Sequence, residues 1–107
     1  MSSHETLTEL VEVLIDKTRD KRLMWELVGE TDTYATVIDG SYTLRVYRDD
    51  DEVCLVLREM HSPEAITLFA HNQIDHERLE LLHRVVRENA LRYDEKIAQV
   101  VEILKAL

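Results

Sequence analysis

The sequence predicts an α+β two-layer domain: an N-terminal helix, an antiparallel meander of four to five strands, then one kinked or two C-terminal helices. Three observations predict it. Apolar residues near the N-terminus recur at helical spacing, the middle of the chain alternates with a period of two, and the last third returns to helical spacing. Helices segregated to the ends of the chain, rather than interleaved with strands, make an α+β domain and not a βαβ fold. At 107 residues the chain is expected to form one domain over 1–107 around a single modest core.

The first helix is carried by Leu7, Leu10, Val11, Leu14 and Ile15, one apolar stripe with Glu5, Glu9, Glu12 and Asp16 outside it. It should end near Asp20, where a charged run interrupts the stripe. A short strand around Trp25 and Leu27 is expected before Gly29. Tyr34, Thr36 and Ile38 then alternate with Thr33, Ala35 and Val37 as far as Asp39-Gly40, a hairpin signal because both residue types tolerate positive φ. The return strand, 42–48, should place Tyr42, Leu44 and Val46 on one face and Thr43, Arg45 and Tyr47 on the other. After the acidic turn Asp49, Asp50, Asp51 and Glu52 comes a strand over 53–60, a break at Pro63 and a last short strand over 66–70.

Asp75 is the expected cap of the next helix, with Ile74 stapling onto Leu79. Leu79, Leu82, Val86 and Ala90, widened by Val85, form its inner stripe, and Glu80 with Arg84 and Glu88 with Arg92 are spaced as i,i+4 pairs. Near 92–94 the phase changes. Asp94 is a possible second cap, and Ile97, Val100, Val101, Leu104 and Leu107 make a fresh stripe.

Composition narrows the function classes. Thirteen basic residues against twenty-two acidic ones give a formal charge of −9. That sign repels phosphate backbones and anionic lipid, so neither nucleic acid nor membrane is an expected partner. The single cysteine, Cys54, lies in the apolar run 53–57 and should be a small buried thiol. The first residues lack the basic and apolar regions of a signal peptide, so the cytoplasm is the expected compartment.

No residue pattern in the chain builds catalytic chemistry. With only Gly29 and Gly40, no phosphate-cradling loop is available, and no nucleophile elbow is present. Glu26, Glu59 and Glu64 are acid/base candidates only in the sense that an acidic chain offers many such pairs. Of the five histidines, His61, His71 and His76 lie close enough in sequence to be weighed as metal ligands. Their spacing matches no zinc pattern, and His71 with His76 should straddle a helix start. His83 is expected beside the helical stripe as a partly exposed packing residue. No catalytic, cofactor or metal residue is therefore assigned, and no cofactor is expected.

The residues expected to touch a partner are Arg45 and Tyr47, on a sheet face left open by the helices, and Arg84 and Arg87, in the basic stretch of the helix that follows 75. The pattern Trp25, Tyr34-x-Thr36-x-Ile38, Asp39-Gly40, Leu55-x-Leu57, Leu79-x-x-Leu82-x-x-x-Val86-Arg87 resembles small bacterial α+β proteins of about this length that carry no assigned activity. The resemblance implies a fold and no functional residue. The expected function is a non-catalytic protein-binding module, self-associating as a homodimer through surplus apolar surface on the stripes 7–15 and 97–107. The alternative is an acidic inhibitor, immunity-type or chaperone-like protein that neutralises a basic partner, and a histidine-based metal protein or enzyme ranks below both.

Overall fold

The structure, a computed structural model, describes residues 3–29, 32–61, 65–69 and 76–107. Pro63, Glu64, Ala70, His71, Ile74 and Asp75 lie outside these, and with them the expected strand break, cap, staple and one candidate ligand. The element order is α1 (Ser3–Arg19), β1 (Glu26–Leu27), β2 (Thr33–Ile38), β3 (Tyr42–Asp49), β4 (Glu52–Glu59), β5 (Ala65–Phe69), α2 (His76–Leu91) and α3 (Tyr93–Lys105). The strands form one antiparallel meander in the order β1-β2-β3-β4-β5. This is the predicted α+β architecture, with its C-terminal helix in two pieces.

Helix α1 ends where the charged run begins, and the backbone gives the reason. Lys21 takes a left-handed φ of 60°. Arg22 donates its N–H to the Lys17 carbonyl at 2.9 Å, and Lys21 donates to the Thr18 carbonyl at 3.1 Å. These are the two bonds of a Schellman cap, built here around lysine where glycine is the usual choice. The β2–β3 hairpin turns on Asp39 and Gly40 at φ 53° and 64°, the sign pattern of a type I′ turn. Asp50, at φ 55°, reverses the chain between β3 and β4.

Register decides which face each strand residue occupies. Tyr34, Val46 and Leu55 share one rung, and Thr36, Leu44 and Leu57 share the next. These rungs face the helices, and Tyr34, Leu44, Val46 and Leu55 are buried there. They pack with Val11, Leu14 and Ile15 of α1 and with Leu79, Leu82 and Val86 of α2 in one cluster around Trp25. On the opposite face Thr33, Ala35, Thr43, Arg45, Tyr47 and Val56 keep part of their surface in solvent. The stripe 7–15, expected to contribute surplus surface for an interface, is instead spent on the core: Val11 is fully buried and Leu14 and Ile15 nearly so.

Trp25 anchors the junction between the layers. Its backbone N–H donates to Asn89 Oδ1 at 2.8 Å, and its indole Nε1–H donates to Thr18 Oγ1 at 3.0 Å. Asn89 Nδ2 donates in turn to the Leu23 carbonyl at 3.0 Å. One amide on α2 thus satisfies two backbone groups of the chain between α1 and β1. Buried polar groups are cheap only when paired, so this contact fixes where the strand begins.

Candidate functional site

Helix α3 is positioned by a single residue. Arg92 lies between α2 and α3 at φ 53°, ψ 48°, with no side-chain hydrogen bond capping α3. A left-handed residue in mid-chain turns the helix axis, so the α3 stripe cannot continue along the face that α2 lays on the sheet. Asp94 is therefore not the cap; it falls in the first turn of α3, and Arg92 occupies the cap position. The expected Glu88–Arg92 pair is also absent among the described residues, since Arg92 is no longer helical.

The consequence is an uncovered stripe. Ile97 is 61%, Val100 54%, Val101 40%, Leu104 61% and Leu107 94% exposed. Among the described residues α3 packs substantially on no other element. The radius of gyration is 15.6 Å, against about 13 Å for a compact chain of this length. A helix of 13 residues is marginal in water on its own, and this one carries an apolar face with nothing on it. Exposed Met24 lines the end of the molecule where α2 hands over to α3, and Leu27 and Val28 are exposed farther along the chain.

A groove of about 490 Å³ opens at this handover, between the end of α1 and the α2–α3 junction. Arg19, Lys21, Arg84 and Arg92 line it, with Glu88 and Glu95 among them. Both α1 and α2 end here, so their carbonyl termini concentrate negative potential that the cations offset. The basic lining is accounted for by the two helix ends.

At the other end of α2 a polar cluster joins helix and sheet. Arg48 of β3 holds Glu80 in a two-pronged pair, 2.9 and 2.6 Å. Glu80 was expected to pair with Arg84 along the helix; the sheet cation reaches it instead, because Arg48 projects from the helix-covered side of β3. The Arg48 hydrogen bond lowers the Glu80 carboxyl below its ordinary range and raises the guanidinium in turn. His83, expected to be partly exposed, is 4% exposed. Its Nε2 lies 3.2 Å from Asp32 Oδ2, Tyr34 donates its hydroxyl to the same carboxylate, and the two rings meet edge to face at 5.8 Å. This cluster has the residue types of acid–base chemistry, but His83 and Tyr34 are sealed into the core, leaving Asp32 as its exposed member.

The four residues expected at a partner surface are not brought together. Arg45 is exposed and Tyr47 half-buried on the open face of the sheet, while Arg84 and Arg87 are exposed on α2, which covers the other face. Tyr47 lies on the same rung as Cys54, and burial pushes both groups upward in pKa. Cys54 is fully buried, as its place in an apolar run implied. Among the described residues no three His, Cys, Asp or Glu side chains gather to hold a metal ion, and His61 and His76 stand on separate segments. Among the described residues, no helix is long and apolar enough to cross a membrane.

Sequence reasoning identified the α3 stripe but missed Asn89, Asp32 and the role of Arg48. Asn89 had one available signal, a polar residue one position before Ala90 on the inner stripe of α2. Comparison with family models, curated proteins and solved structures gives no match, so the surfaces described above carry the functional reading by themselves.

Proposed function

We propose that this chain is a non-catalytic protein-binding module that self-associates through α3. The observation that carries the reading is the exposed stripe of Ile97, Val100, Val101, Leu104 and Leu107 on a helix that, among the described residues, packs substantially on no other element. Positions 97, 100, 104 and 107 are spaced 3-4-3, the seam of a two-helix contact. Removing such half-exposed side chains from water contributes on the order of 1 kcal/mol each. The helix is only about 20 Å long. A stable interface covers about 800 Å² per partner, so exposed Met24 beside the α2–α3 junction belongs to the same proposed contact. The cytoplasm is the proposed compartment, supported by a lone thiol that is buried and unbridged.

Native mass spectrometry with sedimentation velocity tests the reading. The wild-type chain should give the mass of two chains, and Val100→Asp should give one chain with unchanged far-ultraviolet circular dichroism. A Val100→Asp protein that remains dimeric would remove α3 from the interface.

The acidic surface supports a second reading, in which the module neutralises a basic protein. Asp49, Asp50 and Asp51 are exposed in one turn of a chain with net charge −9. Salt separates the two readings: a charge-driven complex weakens steeply with ionic strength, whereas an apolar helix contact does not.

A further inference from the structure

The two edges of the sheet are unequal. β1 closes one edge with two residues, Glu26 and Leu27, and Asn89 of α2 holds the chain just before it. The other edge is β5, Ala65–Phe69, whose only strand partner among the described residues is β4. Among the described residues no element other than β4 packs substantially on it. Along its outer side, alternate N–H and C=O groups point away from the sheet, and a helix face cannot satisfy them.

Edges exposed in this way are commonly blunted by a charge, a proline, a bulge or a very short strand. β5 has none of these. Its sequence Ala-Ile-Thr-Leu-Phe is uncharged, and its register with β4 is unbroken from Ala65↔Arg58 to Cys54↔Phe69. Ala65, Ile66 and Thr67 are exposed, Ile66 at 55%. Carboxylates stand at both ends by contrast, beside Arg58 at the Ala65 end. β4 leaves the Ala65 end at Glu59, and it arrives at the Phe69 end from Glu52 and the Asp49–Asp51 turn. Arg58 is the only basic residue on the five β4 positions that pair with β5.

We infer that this edge binds an extended segment of another protein, added as a sixth strand, uncharged over about five residues and basic on its flanks. Main-chain hydrogen bonds supply the contact, and the flanking carboxylates choose the partner. An added strand lies two strand spacings from β4, about 10 Å, so basic flanks come within about one Debye length of those carboxylates. A second copy of this chain fits the edge poorly. Antiparallel pairing of β5 with itself sets the Glu59 corner of one chain against the Glu52 end of the other, between chains of charge −9. The edge lies across the sheet from β1 and the α2–α3 junction, so this site does not depend on α3 self-association.

The test titrates the ¹⁵N-labelled full chain with the synthetic peptide Lys-Lys-Val-Thr-Val-Thr-Val-Lys-Lys. The amide resonances of Ala65–Phe69 should shift, their hydrogen exchange should slow, and affinity should fall about tenfold or more between about 0.05 and 0.5 M salt. Two further peptides carry N-methyl groups within Val-Thr-Val-Thr-Val, one on alternate amides and the other on every amide. The first should still bind, through the strand edge that keeps its N–H groups, and the second should not, because neither of its edges can donate to the sheet. Equal binding of the two methylated peptides overturns the inference. So do shifts confined to the groove beside Asn89 or to α3, or no shift at about 1 mM peptide, a concentration that detects even weak contacts. Concentration-dependent protection of the β5 amides without peptide would place a second copy on the edge and overturn it as well.

Discussion

Helices α1 and α3 carry nearly the same pattern and meet opposite fates. Leu7, Leu10, Val11, Leu14 and Ile15 repeat at i, i+3, i+4, i+7 and i+8, and Ile97, Val100, Val101, Leu104 and Leu107 at i, i+3, i+4, i+7 and i+10. Val11 is fully buried against the sheet-and-helix core, whereas Val100 is 54% exposed. An apolar stripe states that a helix has a partner, not which one. The difference lies in the connections. α1 is closed by the cap at Lys21 and returned to the sheet through Trp25, while Arg92 turns α3 away from the sheet that α2 covers.

The comparison breaks most sharply if the same charge is placed in both stripes. Val11→Asp buries an unpaired carboxylate and should cost about 4 kcal/mol or more, enough to unfold a domain of ordinary stability. Urea unfolding followed by circular dichroism checks this. Val100→Asp, the substitution that separates the proposed dimer, should leave the unfolding midpoint of the monomer almost unchanged. A Val100→Asp monomer that unfolds as readily as Val11→Asp would show that α3 belongs to the core.

The next effect sharpens the role of the connections. Asn89→Ala leaves the Trp25 N–H and the Leu23 carbonyl without their partner, at a cost of about 1–3 kcal/mol. The loss should appear in the urea midpoint and as faster amide exchange at Trp25. If exchange at Trp25 is unchanged, the amide is not what holds β1 in place.

The smallest effect belongs to the Arg48–Glu80 pair, which ties α2 to β3 near its start. Both side chains are about one-third exposed, so Glu80→Gln should cost only about 0.5–1 kcal/mol. The pH dependence follows from the lowered Glu80 pKa, whose first cause is the Arg48 hydrogen bond. A carboxylate with a depressed folded pKa contributes its stability above the unfolded value, about 4.3, and loses it as pH falls through the folded value. The stability difference between wild type and Glu80→Gln should therefore be constant near neutrality and shrink below about pH 4. A difference that persists undiminished into strong acid would assign it to packing instead of charge.

Much of this fold was legible in the residues. Strands β2 and β3 alternate, and Asp39-Gly40 marked the hairpin because few other pairs accept two positive φ values. The end of α1 was placed correctly, though the physical cause is a left-handed cap at Lys21 rather than the interruption of the stripe. His83 was misjudged because its place beside the stripe cannot reveal that Asp32 and Tyr34 close over it. Glu80 was given the wrong cation because helical spacing sees Arg84 but not a strand thirty-two positions away.

By itself, the sequence determined the element order, the position of the β2–β3 hairpin and the presence of two amphipathic stripes at the chain ends. These follow from periodicities of 2 and 3.6 and from turn chemistry, all properties of neighbours in the chain. Only the tertiary structure decided that α1 is core, that Asn89 joins Trp25 to α2, and that among the described residues α3 has no substantial packing partner and β5 is the longer edge strand. Those outcomes depend on one backbone angle at Arg92 and on contacts between residues far apart in sequence, which local pattern does not encode.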